Sequence, residues 1–159
     1  MPMTILATID PASSRVRATD SRGHSVAMDT SPPIGEDTAP GPKELVLAAL
    51  AGCGAMDVAS LLRKKRQSAT AYEVAVSAES AEEHPRVFTS ITVEHRVMGA
   101  VEPEALRRSV ELSSTRYCPV SAMLSASVRI EHWYRLTGAD GREQHALVAV
   151  TGPEGSQVL

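Results

Sequence analysis

Hydrophobic and polar positions alternate with a period of two over several stretches of the chain, and in one stretch the polar positions vanish. Tyr72, Val74, Val76 and Ala78 alternate with polar or small neighbours. Val87, Thr89, Ile91, Val93, His95 and Val97 resume the alternation after a loop at 80–86. Both read as strands with one buried face. Val128, Ile130, His132, Tyr134 and Leu136 make another, and Gly138-Ala139-Asp140-Gly141 turns it into a last strand at about 144–150. Near the amino terminus, residues 4–10, 15–19 and 25–29 read as a small antiparallel meander, with Gly23 able to supply positive φ in the loop 20–24.

The exception to alternation is Leu45 to Leu62, apolar nearly all round, which is the pattern of a helix covered on every side. A loop rich in Pro, Gly, Ser and Thr at 30–41 leads to it, and Pro42 suits its first turn. Arg63-Lys64-Lys65-Arg66 ends it, four cations that complement the helix dipole and stay hydrated. The stretch has the length of a short membrane span, but Asp57 at its centre would cost roughly 3 kcal/mol in lipid. It therefore reads as a helix buried in protein. Pro103, Leu106 and Val110 predict a second helix over 103–114, and Pro119 opens a short third one through Leu124.

These elements predict an α+β fold with antiparallel groups of strands around one apolar helix, as a single domain over 1–150 with a loose tail at 151–159. Two short sheets of one such chain hardly cover the helix on all sides, so a dimer is expected. The chain has 159 residues and 43% hydrophobic content, enough for a packed core. Aromatic residues make up 3% and the net charge is -3, which argues against a nucleic-acid-binding surface and leaves the basic run at 63–66 as a solvated helix end. The amino terminus lacks a basic start and a long apolar run, so no membrane partner is expected and the protein reads as cytoplasmic.

In a reducing compartment, paired cysteines are more often redox-active than structural. Cys53 lies between Gly52 and Gly54 in mid-helix, and Cys118 directly precedes Pro119. Cys118 at a helix cap gains from the dipole as a thiolate. Cys53 has no such aid, and Asp57 four residues on shares its face and opposes ionisation unless paired. A cation from elsewhere is then needed, and Arg22, on the loop beside Gly23, is the favoured candidate, with Arg17 the other that could reach the site. The two glycines imply close approach of backbone, substrate or another helix. Both cysteines as inert small hydrophobes is an equally weighted reading. The five histidines show no ligand spacing with either cysteine, so no zinc site is expected, and phosphate-binding glycine fingerprints are absent, so no nucleotide cofactor is expected.

Gly41-Pro42-Lys43-Glu44-Leu45 through Gly52-Cys53, then Met56-Asp57-Val58 and Cys118-Pro119-Val120-Ser121, resemble the OsmC/Ohr family over about 5–136. The resemblance implies the OsmC-like fold: an intertwined homodimer, antiparallel sheets around long central helices, and two sites near the subunit interface. It implies a thiol-dependent peroxidase of oxidative stress defence. An organic hydroperoxide is reduced at Cys53, Cys118 closes a disulfide with it, and an external dithiol resets the pair. Arg22 resembles by position an arginine of the hydroperoxide resistance branch. That branch has a glutamate directly after the helix-opening proline, where this chain has Lys43, with Glu44 one residue later. The chain thus resembles more closely the general OsmC-like branch. The alternative within the resemblance is a ligand-binding or redox-sensing dimer with little turnover.

Overall fold

The alternating segments near the amino terminus pair as their pattern predicts. In a computed structural model, which describes residues 2–159, β1 (Ile5–Ile9), β2 (Val16–Asp20) and β3 (Ser25–Met28) form an antiparallel sheet in the order β1-β2-β3. Its turns are held by aspartates. Asp10 accepts hydrogen bonds from the Ala12 amide and the Ser13 hydroxyl, and Asp20 accepts them from the Arg22 and His24 amides around Gly23 at φ 90°. Asp29 closes the loop that follows. Its buried carboxylate accepts from the amides of Thr30, Glu36 and Thr38 and from the Thr38 hydroxyl. Those donors, the Thr38 hydroxyl foremost, hold its pKa down at about 2.

Helix α1 (Pro42–Lys64) begins at the predicted proline, and β4 (Ser68–Ser80) and β5 (Phe88–Ala100) form the predicted hairpin. Then come α2 (Pro103–Leu112), a π-helical turn at Ser113–Tyr117 and α3 (Pro119–Ser125). β6 (Arg129–Thr137), β7 (Glu143–Gly152) and β8 (Gly155–Val158) complete a second sheet in the order β4-β5-β6-β7-β8. One pairing departs from the expected antiparallel groups: β5 and β6 run parallel, because the helices between them return the chain to the same end of the sheet. The tail is also not loose. β7 extends to Gly152 and β8 pairs back on it from Gly155↔Gly152 to Val158↔Ala149. Two compact units divide the chain, Met1–Val46 and Leu47–Leu159, the hydrogen-bonded ladders of the first sheet closing among themselves.

In the second unit the period of two has a clear result. Ile91, Val93, His95 and Val97 of β5 and Ile130, His132, Tyr134 and Leu136 of β6 are buried, while the intervening Glu94, Arg96 and Arg135 form ion pairs on the opposite face. A bulge at His132/Trp133 puts two consecutive β7 residues, Val148 and Ala149, into the core. α1 buries a stripe of i+4 spacing, Leu50, Gly54, Val58 and Leu62. Leu50 packs with Ile91, Val93, Cys118, Val128 and Ile130. Val58 and Leu62 pack with Val97, Leu106, Val110, Tyr134 and Leu136 in a second cluster.

α1 is long and apolar enough to cross a membrane by length and composition, yet this stripe is committed to the chain's own sheet. The remainder of the helix is less covered than its sequence implies, with Val46 37% and Met56 76% exposed. Of the four cations at its end, Lys65 is not merely hydrated. Its ammonium donates to the Ala105 carbonyl and the Ser109 hydroxyl, which ties α1 to α2.

Candidate thiol site

Cys53 stands one residue before Gly54 on α1, and Cys118 stands between the π turn and α3. Local backbone chemistry explains the second position. The Cys118 amide donates to the Ser113 carbonyl at 2.9 Å, the five-residue bond that closes the π turn. Pro119 then starts α3, and the Cys118 sulfur accepts the Ser121 amide at 3.3 Å, so the residue is an N-cap as the sequence predicts.

The fold brings the two sulfurs together. Cys53 Sγ, a carboxylate oxygen of Asp57 and Cys118 Sγ all lie within 4.8 Å of one another, and both cysteines are unbonded. Cys118 is 4% exposed and Cys53 is half-buried. Burial, with the adjacent Cys53 sulfur, pushes the Cys118 thiol up to about 12, and the Ser121 amide only partly offsets this. The dipole advantage expected for Cys118 is therefore outweighed by desolvation, since the Val120 and Ser121 amides at the start of a seven-residue helix offset only part of the cost of removing water. Cys118 keeps its proton at neutral pH.

Asp57 was legible only as a neighbour of Cys53 on the same helix face. The π turn supplies what the sequence does not show: the Ser113 hydroxyl donates to Asp57 Oδ2 at 3.0 Å. A second polar layer adjoins α1. Gly54 lies over the His95 ring, and a Cβ on Gly54 would stand 3.2 Å from His95 Cε1. This answers why that glycine is in the helix. Gly52 has open space where its Cβ would be.

Tyr72 and His95 are 2.7 Å apart between Oη and Nδ1, with their rings stacked. Burial, and then the Asp57 charge, raise the Tyr72 phenol above its ordinary range, so it is the donor. Burial and nearby His132 lower His95 to about 3, and burial lowers His132 to about 4. Both imidazoles are neutral, and His95 accepts at Nδ1 and carries its proton on Nε2. His132 Nε2 meets the Thr151 hydroxyl at 3.1 Å. The only sequence signal for this layer is the shared parity of Tyr72 and His95 on two paired strands.

The other expected site residues belong to the first unit. Arg22 pairs with Asp20 at 3.2 Å and is 77% exposed, and Arg17 donates to the Ser25 hydroxyl. Glu44 accepts the Gly41 amide at 2.6 Å in the first turn of α1, which runs without a break through Cys53. The break that Glu44 would need in order to turn toward the sulfur is not present.

Residues 35–132 match the family model described as OsmC-like protein. The chain is 42% identical to protein YhfA of Escherichia coli K12 over 118 residues, 74% of this chain and 86% of that protein. Among solved structures, an OsmC-like protein from Mycoplasma pneumoniae shares the fold with TM-score 0.74 at 16% identity, covering 86% of this chain and 97% of that one. A putative organic hydroperoxide resistance protein from Vibrio cholerae does so with TM-score 0.60 at 17% identity, covering 89% and 94%. From the length of the family match and the identity to YhfA, the chain belongs to the OsmC-like protein family.

Proposed function

We propose that the protein is a cytoplasmic thiol peroxidase that reduces organic hydroperoxides. The observation that carries this reading is the approach of the two sulfurs to within 4.8 Å beside a cluster of apolar side chains. Cys118 holds its proton, which leaves Cys53, the more accessible sulfur, as the nucleophile. Cys53 thiolate attacks the outer peroxide oxygen, the O–O bond breaks, and the alcohol leaves with a proton while the sulfur becomes a sulfenic acid. Cys118 then displaces water from that sulfur and closes a disulfide, and an external dithiol takes the oxidising equivalents. Arg22 and Glu44 complete the proposal by orienting the hydroperoxide from the second copy of the proposed homodimer, since Glu44 does not turn toward Cys53 along its own unbroken helix. The hydroperoxide resistance named for the Vibrio relative accords with this chemistry.

A homodimer is part of the proposal. The uncovered apolar side of α1, and Ile5, Leu6 and Ile9 exposed at 66%, 70% and 59%, are surfaces that a second copy would bury. Thiol counting after an alkyl hydroperoxide pulse tests the chemistry. Two thiols per chain should disappear in the wild type and none in Cys53→Ser, while Cys118→Ser should accumulate a sulfenic acid. Equal thiol loss in Cys53→Ser removes the proposal.

The carboxylate of Asp57 beside both sulfurs favours a second reading, a redox-sensing dimer that oxidises once and turns over little. Sustained hydroperoxide consumption under excess dithiol excludes it. A single stoichiometric oxidation with no further consumption selects it.

A further inference from the structure

The three polar atoms at this site have a geometry that peroxide chemistry does not require. Cys53 and Asp57 are four residues apart on α1, a spacing that brings two side chains to one side of a helix, and Cys118 meets them from the start of α3. Around tetrahedral zinc, with about 2.3 Å to thiolate and about 2.1 Å to carboxylate, ligand atoms stand roughly 3.5 to 4 Å from each other. The observed limit of 4.8 Å for all three pairs is compatible with that after small side-chain rotations. We propose that the reduced site binds a thiophilic divalent cation of the zinc or cadmium type through Cys53, Cys118 and Asp57, with a fourth position open to water or a small external ligand.

The surroundings suit ligands of this kind. Metal-bound carboxylates and thiolates are steadied by hydrogen bonds from outside the coordination sphere. Here the Ser113 hydroxyl donates to Asp57 Oδ2 at 3.0 Å and leaves Oδ1 available, and the Ser121 amide donates to Cys118 Sγ at 3.3 Å. Two sulfurs and one carboxylate select soft or borderline cations over magnesium and calcium, which take oxygen ligands. Two thiolates and a carboxylate more than offset the divalent ion, leaving the bound site at a net charge of minus one.

On binding, each thiol gives its proton to solvent and its sulfur lone pair to the metal, with no change of oxidation state. A disulfide has no anionic sulfur to offer, so oxidation expels the ion. One consequence rests on the peroxidase reading: cation binding and hydroperoxide reduction compete for the same electron pair of Cys53. The cation then acts as a reversible cap on the thiols.

The test is titration of dithiol-reduced, desalted protein with Cd2+ and with Co2+, read by thiolate-to-metal charge-transfer absorption. Saturation at one ion per chain is expected. The band should be lost in Cys53→Ser and in Cys118→Ser, and affinity should fall at least about tenfold in Asp57→Asn. Ser113→Ala keeps all three ligands and should weaken binding about tenfold. Wild-type protein oxidised with diamide, which needs no variant to fold, should bind neither ion until reduced again. Absence of the band in reduced protein, its survival in Cys118→Ser, undiminished affinity in Asp57→Asn, or binding by the oxidised form overturns the proposal. Cation binding with this variant pattern in a protein inert to hydroperoxide overturns only the peroxidase reading.

Discussion

Both sheets are built from strands of alternating sequence, yet one has a core and the other does not. In the five-stranded sheet, Ile91, Val97 and Ile130 are exposed by 1% or less, under a helix that packs along the same face. In the three-stranded sheet every residue of β1 is exposed, and Ala18 is the one buried strand residue. The difference teaches that a complete ladder of backbone hydrogen bonds follows from local pattern and turn chemistry, whereas stability follows from what the apolar face meets.

The largest expected effect separates the two regions by pH. His95 and His132, in the larger unit, have folded values of about 3 and about 4, below the ordinary histidine value near 6.5. As pH falls below about 6.5 the unfolded chain takes up protons that the folded chain refuses. Stability therefore declines with falling pH by up to about 1.4 kcal/mol per unit for each imidazole, or up to roughly 4 kcal/mol by pH 5. Asp29, in the smaller unit, is depressed instead to about 2, so its contribution is intact above about pH 4 and is lost between there and about pH 2. Urea unfolding followed by Trp133, the single tryptophan, should weaken between pH 6.5 and 5, while exchange at the Thr38 amide stays slow. Coincident loss of both in the lower window would break the distinction.

Truncation should show the next largest contrast. Ile130→Ala is expected to cost about 3 kcal/mol in denaturant unfolding, because the residue is fully buried between packed neighbours. Leu6→Ala should cost under about 0.5 kcal/mol in the isolated chain. A cost at Leu6 that depends on protein concentration would sharpen the comparison, locating a second copy against the small sheet.

Within α1 the covered and uncovered sides differ more finely. Gly54→Ala should lower stability by about 1 kcal/mol, since His95 is pinned by Tyr72 and has little room to yield. Gly52→Ala should raise it by up to about 1 kcal/mol through helix propensity. The smallest effect belongs to Arg22→Ala. It breaks a solvated pair and should change stability by under about 0.5 kcal/mol, while the proposed peroxidase rate drops.

The sequence made the one-faced strands visible because Ile91, Val93 and Val97 recur at the pleat's own period. It made the Cys118 cap visible because Pro119 can only open a helix there. Pairing direction was not visible, since nothing within β6 says which end of β5 it meets. β8 escaped notice for another reason: Gly155, Ser156 and Gln157 carry no apolar rhythm and are held through their backbone. At the site, the cysteines were recognisable by type and setting. The Ser113 bond to Asp57 and the ring beneath Gly54 were not, because each joins segments far apart in the chain and turns on a register that only folding sets.

Of the four residues in the buried stripe of α1, three carry branched side chains and one has none. Sliding the helix along the sheet by one turn, about 5.4 Å, would drive Leu50 or Val58 onto the His95 imidazole. The ring therefore acts as a dowel in a single notch. Because Cys53 adjoins that notch, the longitudinal coordinate of its sulfur is indexed to β5, and any rearrangement that displaces the thiol along the helix axis must first withdraw the histidine.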